Sequence, residues 1–217
     1  MSPKLPSEKK ILSFLRSWFL IGILGFAIPV THSIFRHIIP FTILLMTIII
    51  MAYHRPLNLR FIQITLLLAL LGFGIEVAGI KTGLIFGHYK YGSVLGPRIA
   101  EVPIIMGINW VLMVYGGVAI ASRTGMSILP GSLVSAIIIT VSDFIIEKFA
   151  ILTGMWTWVD GAPPLRNYSG WFIASLLLSL LYYNTVKSKI RKVAIYIYIY
   201  QIVLFVFTIV ILTLFWQ

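Results

Sequence analysis

Apolar residues run along this chain in long blocks, broken by short clusters of charge, Gly and Pro. A membrane-spanning helix needs about 20 mostly apolar residues. Seven blocks reach or approach that length, at 12–30, 38–53, 61–80, 102–121, 129–152, 170–185 and 193–215. The pattern predicts an all-α fold, a polytopic transmembrane bundle of about seven spans, with residues 1–217 forming a single integral membrane domain. The second and sixth blocks are short, and the second reads equally as a tilted or re-entrant segment.

The charges between the blocks orient this bundle. With the N-terminus on the cytoplasmic side, the inner links hold eleven cations: Lys4, Lys9, Lys10, Arg16, Arg55, Arg60, Arg123, Lys187, Lys189, Arg191 and Lys192. The outer links hold five: Arg36, Lys81, Lys90, Arg98 and Arg166. This bias predicts N-in, C-out in a cell membrane. A net charge of +11 also raises the question of a nucleic-acid partner, but cations scattered through short links serve membrane orientation, so no nucleic acid is expected. The basic start followed by an apolar run resembles a signal peptide, but no small-residue cleavage site follows, and the run is kept as the first helix.

Composition narrows the chemistry. Apolar residues make up 59% of the chain and charged residues 11%, which leaves no sequence for a soluble domain. With no cysteine, disulfides, thiolate metal sites and cysteine nucleophiles are excluded. No internal repeat of the transporter kind is visible. Two links stand apart, 81–100 (KTGLIFGHYKYGSVLGPRIA) and 153–169 (TGMWTWVDGAPPLRNYS). Both are rich in Gly, Pro and aromatics, both fall on the predicted outer side, and they are candidates for a folded lid or re-entrant cap.

Of only six acidic residues, four fall inside or at the edge of apolar blocks: Glu76, Glu101, Asp143 and Glu147. A carboxylate in a span costs roughly 2.5 kcal/mol or more, so it normally faces protein and has a task. By the predicted topology Glu76 lies near the outer end of the third helix, Glu101 opens the fourth from the outside and Asp143 with Glu147 occupies the outer half of the fifth. All four are expected to converge beneath the two unusual links. Asp143 and Glu147, four apart, share a helix face. Two carboxyls close together in a low dielectric do not both ionise easily, so one is expected to keep its proton and serve as a general acid. The structural alternative is salt bridging with Lys81, Arg98, Lys148 or Arg166.

Glu76 lies in GFGIEVAG, where Gly72 and Gly79 allow another backbone close to its face. His32, His37 and His54 sit at block edges, whereas His88 in FGHYKYG is near the acids and is a candidate proton relay. The Glu-x-x-His pairs of a di-metal bundle and the Asp-rich repeats of membrane prenyltransferases are both absent, so no metal is expected. Tyr89, Tyr91, Trp110, Trp156, Trp158, Tyr168 and Trp171 form either a wall for a flat or cationic apolar ligand or an interfacial aromatic belt.

Four blocks, GIEVAGIKTGLIFGHYKYGSVLG, EVPIIMGINWVLMVYGG, SDFIIEKFAILTGMWTW and GAPPLRNYSGWF, together resemble the carotenoid-biosynthesis membrane hydratases, which include bisanhydrobacterioruberin hydratase and the bacterial carotene hydratases. The resemblance covers residues 72–172. It implies a hydro-lyase that adds water across the terminal isoprenoid C=C of an acyclic or monocyclic carotenoid, giving a tertiary alcohol without an organic cofactor. It implies catalytic roles for Asp143, Glu76, Glu147 and Glu101, with Asp143 as first choice of proton donor. Substrate-binding roles fall to His88, Tyr89, Tyr91, Trp110, Trp156, Trp158 and Asn167. The implied partners are a carotenoid drawn from the bilayer, membrane lipids and other carotenoid-biosynthesis enzymes. One departure is Lys148, where the family pattern places Pro, which creates a possible partner for Glu147. Buried acids also suit a proton-coupled carrier, a carotenoid cyclase or isomerase, or a non-catalytic subunit of a carotenoid complex.

Overall fold

A computed structural model describes residues 5–54, 57–186 and 192–215. Seven α-helices account for most of it: α1 (Glu8–Ala27), α2 (Pro29–Tyr53), α3 (Leu59–Thr82), α4 (Ile105–Ala121), α5 (Ile128–Thr153), α6 (Leu165–Val186) and α7 (Lys192–Phe215). The described residues also hold four short strands, β1 (Tyr89–Tyr91), β2 (Arg98–Ile99), β3 (Val102–Pro103) and β4 (Trp156–Trp158), and two 3-10 turns, Ser93–Leu95 and Ser122–Thr124. The fold is a polytopic helical membrane bundle in which six helices are long and apolar enough to cross a bilayer: all but α6, with α4 continued by a 3-10 turn to Thr124. Five of the cations behind the expected orientation, Lys4, Arg55, Lys187, Lys189 and Arg191, lie outside the described residues.

Helix ends follow local chemistry. The Asn58 side chain accepts the backbone N–H of Phe61 at 2.9 Å and caps α3. Gly83 and Gly154 end α3 and α5 with φ of +64° and +73°, left-handed turns that favour glycine. The short second block proves to be a full 25-residue helix. Pro29 begins it directly after α1, with extended Ile28 alone at the corner, so His32, Arg36 and His37 are helical. Sequence reading missed this because polar residues and Pro40 interrupt the apolar run, while a Pro in the first turn needs no N–H partner. Helix α6 starts five residues before the expected 170, which brings Asn167 and Tyr168 onto it.

Helix α4 is the centre of the bundle, buried on almost every face and packed by α2, α3, α5, α6 and α7. Close approach to α3 depends on Gly72, where a Cβ would meet Trp110 Cβ at 2.5 Å. Glycine at that position therefore fixes where Trp110 can stand.

The two unusual links fold into one cap. Strands β1 and β4 pair antiparallel, Tyr89 opposite Trp158 and Tyr91 opposite Trp156. Alternation sends those four aromatics inward and leaves Lys90 and Thr157 exposed. Two further backbone bonds, Gly92 N–H to Met155 O at 2.8 Å and Val159 N–H to His88 O at 3.0 Å, extend the pairing. Strands β2 and β3 form a small hairpin whose turn residues, Ala100 and Glu101, have φ of +50° and +68°.

Candidate active site

Three carboxyls meet under this cap. The C-terminal half of α3 carries Glu76, and α5 carries Asp143 and Glu147 one turn apart on its buried face. All three are almost fully shielded from solvent. Glu76 Oε2 accepts the hydroxyls of Tyr89 at 2.6 Å and Tyr91 at 2.7 Å, and its Oε1 accepts Trp110 Nε1–H at 2.9 Å. Glu147 Oε2 accepts Trp156 Nε1–H at 3.0 Å and Trp158 Nε1–H at 2.8 Å. The Asn167 amide joins the α5 acids, donating to Asp143 Oδ2 at 2.9 Å and Glu147 Oε1 at 3.2 Å. Asp143 Oδ1 is the one carboxyl oxygen of the six with no partner among the described residues.

Every partner of these acids is neutral, so the salt-bridge alternative is not what holds them. Lys148 is exposed and Glu147 is satisfied by two indoles and an amide. Arg98 donates to Gly92 O, and Arg166 to Gly83 O at 3.1 Å. Each N–H and O–H aimed at a carboxylate in a dry interior is worth more than the same bond in water. The Tyr89 and Tyr91 phenols lie in the cap. Burial first, and the Glu76 carboxyl second, push both well above the usual phenol range, so they stay protonated donors.

Between Glu76 and Glu147 lies a small cavity with room for about one water molecule. Its polar wall is Glu76, Glu147 and Asn167, its cap Tyr89, Tyr91, Trp156 and Trp158, and its apolar side Phe86, Met106 and Trp171. Trp171 stacks on Trp110 with centroids 4.5 Å apart. Asp143 stands behind this wall and is linked to it through Asn167. Trp110 likewise stands behind, holding Glu76.

Of the expected site residues, the structure brings together Glu76, Asp143, Glu147, Tyr89, Tyr91, Trp110, Trp156, Trp158 and Asn167. Glu101 is elsewhere, exposed in the β2–β3 turn rather than opening α4, because the hairpin precedes the helix and α4 starts at Ile105. His88 is also exposed, its ring over Gly83 instead of reaching the acids, since strand alternation points it away from the inward Tyr89 and Tyr91. Phe86 and Met106 were not foreseen. Met106 has the weak signal of lying one turn before Trp110 on α4. Among the described residues no group of three His, Cys, Asp or Glu side chains is arranged to hold a metal ion.

The profile of a family described as "carotenoid biosynthesis protein" matches residues 37–217, which takes in most of α2, all of α3 to α7 and every residue of this site. The chain belongs to that family. The chain is similar to the bisanhydrobacterioruberin hydratase of Haloarcula japonica, 25% identical over 128 residues that cover 53% of this chain. The alignment spans 42% of the relative's own length. No solved structure matches the chain. Membership in a carotenoid biosynthesis family agrees with a site enclosed by aromatic rings inside a membrane bundle.

Proposed function

We propose that this carotenoid-biosynthesis protein is a multi-pass carotenoid hydratase of the cell membrane, a hydro-lyase that adds water to a terminal isoprenoid double bond and makes a tertiary alcohol. The observation that carries the reading is the chamber itself, a water-sized cavity between two carboxyls, walled by aromatic rings and backed by a third carboxyl with a free oxygen. The hydratase from Haloarcula japonica, alike over part of its length, supports the same reaction class.

In this mechanism the Asp143–Glu147 pair supplies the proton. Asp143 Oδ1 accepts no hydrogen bond among the described residues and seats the proton at rest, while Glu147, the member of the pair that lines the cavity, takes it from Asp143 and delivers it to the substrate. Protonation of the CH carbon of an isopropylidene end breaks the π bond and leaves a tertiary cation. Glu76, fixed by three donors, faces that cation as a counter-charge, and the aromatic walls add cation–π stabilisation. Water held between Glu76 and Glu147 bonds to the cationic carbon. The oxonium loses a proton to the Glu147 carboxylate, which restores the proton the Asp143–Glu147 pair gave up. Atoms balance as alkene plus water to alcohol, with no organic cofactor consumed.

The test is expression in a host that accumulates an acyclic carotenoid with isopropylidene ends, followed by chromatography and mass spectrometry. The expected product is heavier by one water and is lost with Asp143→Asn. Unchanged pigment across several acyclic substrates would sink the hydratase reading.

A further inference from the structure

A second cavity adjoins the carboxyl chamber. It occupies about 310 Å³ between α1, α2, α4, α5 and α7, and only Thr42, Asn109 and Gln201 among its lining side chains are polar. Met106 and Trp156 line both cavities. The groove follows α2 from Phe35 to Met46, about 16 Å at 1.5 Å rise per residue. Its lining includes Ile21 of α1, which is itself exposed on the outer surface of the bundle.

Resting on the hydratase reading, we infer that this groove seats the isoprenoid chain of the substrate, which enters from lipid past Ile21 and brings its reactive end to the Met106–Trp156 partition, at the mouth of the carboxyl chamber. The chamber has room for about one water molecule, so the chain and its terminus need a seat outside it. An elongated, nearly unbroken apolar wall suits a chain with no polar atoms along its length and rejects a hydrated headgroup. A chain longer than about 16 Å leaves its remainder in the bilayer, a comparable apolar medium, so groove length sets no upper limit on the substrate. The partition between the cavities combines one adaptable and one fixed side chain. Met106 has the flexible thioether stem that re-packs around a passing chain. Trp156 is tied through its N–H to Glu147 at 3.0 Å, so the same ring that borders the chain holds an acid of the chamber.

The experiment measures polyene retained by the purified full chain, using an acyclic hydrocarbon carotenoid with isopropylidene ends as the probe. Ile39→Trp and Ile43→Trp fill the groove, and Leu70→Trp puts the same bulk on an exposed face of α3 outside it. Bound pigment is expected to fall at least about tenfold in both groove variants, a loss of about 1.4 kcal/mol, and to stay unchanged in the control. Groove variants that keep their pigment, or a control that loses as much, overturn the inference. Pigment held by the unaltered chain and displaced by groove filling, yet never hydrated, leaves the groove standing and removes the hydratase. Full-rate hydration by a groove-filled variant does the reverse. If filling prevents folding, tryptophan emission decides: bound polyene quenches Trp18 in the groove wall, and Trp18→Phe must lower the quenched fraction. An unchanged fraction overturns the inference.

Discussion

Helices α3, α4 and α6 carry two buried polar clusters, one toward each end. Under the cap are Glu76, Trp110 and Asn167. Toward the other end, Thr65 and Tyr182 share a hydroxyl bond at 2.8 Å, and His54 Nδ1 lies 2.9 Å from Tyr115 OH while its ring stacks on Phe61 at 3.7 Å. Along α6 the clusters are about 22 Å apart, from Asn167 to Tyr182. Both mix aromatic rings with hydrogen bonds, but the second holds no carboxyl and lines neither of the two cavities. Neutral donors matched with acceptors suffice to lock helices together in an apolar surround. Three carboxyls, one with no partner at one oxygen among the described residues, exceed anything that packing requires, and on that excess rests the proposal that the cap end is the working one.

The strongest way to break this contrast is to neutralise an acid. Asp143→Asn or Glu147→Gln is expected to lower hydration about 10³-fold, the scale of a lost general acid, with pigment retention intact. Product analysis beside retained pigment checks it, and full activity in both variants would falsify the assignment of the proton to this pair. Next in size is Tyr89→Phe with Tyr91→Phe, which strips two O–H donors from Glu76. Each bond to a charged carboxylate is worth about 1.5 kcal/mol or more, so hydration should drop about tenfold per phenol. Rate loss without weaker polyene retention is the signature to look for.

At the other cluster Tyr115→Phe removes the hydroxyl beside His54. Thermal unfolding in detergent should show a loss of about 1 kcal/mol while the hydration rate holds. A larger effect on rate than on stability there would erase the difference between the two ends. Last, an ultraviolet titration comparing the chain with its Tyr89→Phe/Tyr91→Phe variant should reveal no phenolate from these two residues up to pH about 10, because burial and Glu76 both oppose it. Phenolate absorbance at lower pH would mean that the cap opens to water.

Much of the cap end can be traced back to the sequence. Acids inside apolar blocks were visible because bilayer physics makes them costly, and their helical spacing put Asp143 and Glu147 on one face. The cap was legible as two irregular links, and the alternation in Tyr-Lys-Tyr and Trp-Thr-Trp encodes which rings point inward. Glu101 misled because residues 102–121 are apolar apart from Asn109, and hydropathy cannot tell a two-residue strand pair from the first turn of a helix. His88 misled because nearness in sequence to Tyr89 is the reverse of nearness on a strand face. Lys148 adjoins Glu147 in the chain, but successive residues on a helix diverge by about 100°.

By its sequence alone the chain determined that it would be a helical membrane protein with buried acids, since solvent preference is summed over long blocks and needs no knowledge of neighbours. Which acids meet, that neutral Tyr, Trp and Asn donors satisfy them in place of Lys and Arg, and that an apolar groove opens beside the chamber were decided by tertiary structure. Those outcomes depend on the register of strands whose paired residues lie 65 to 69 positions apart in the chain and on how closely α3 approaches α4 at Gly72, and neither is a local property of the chain.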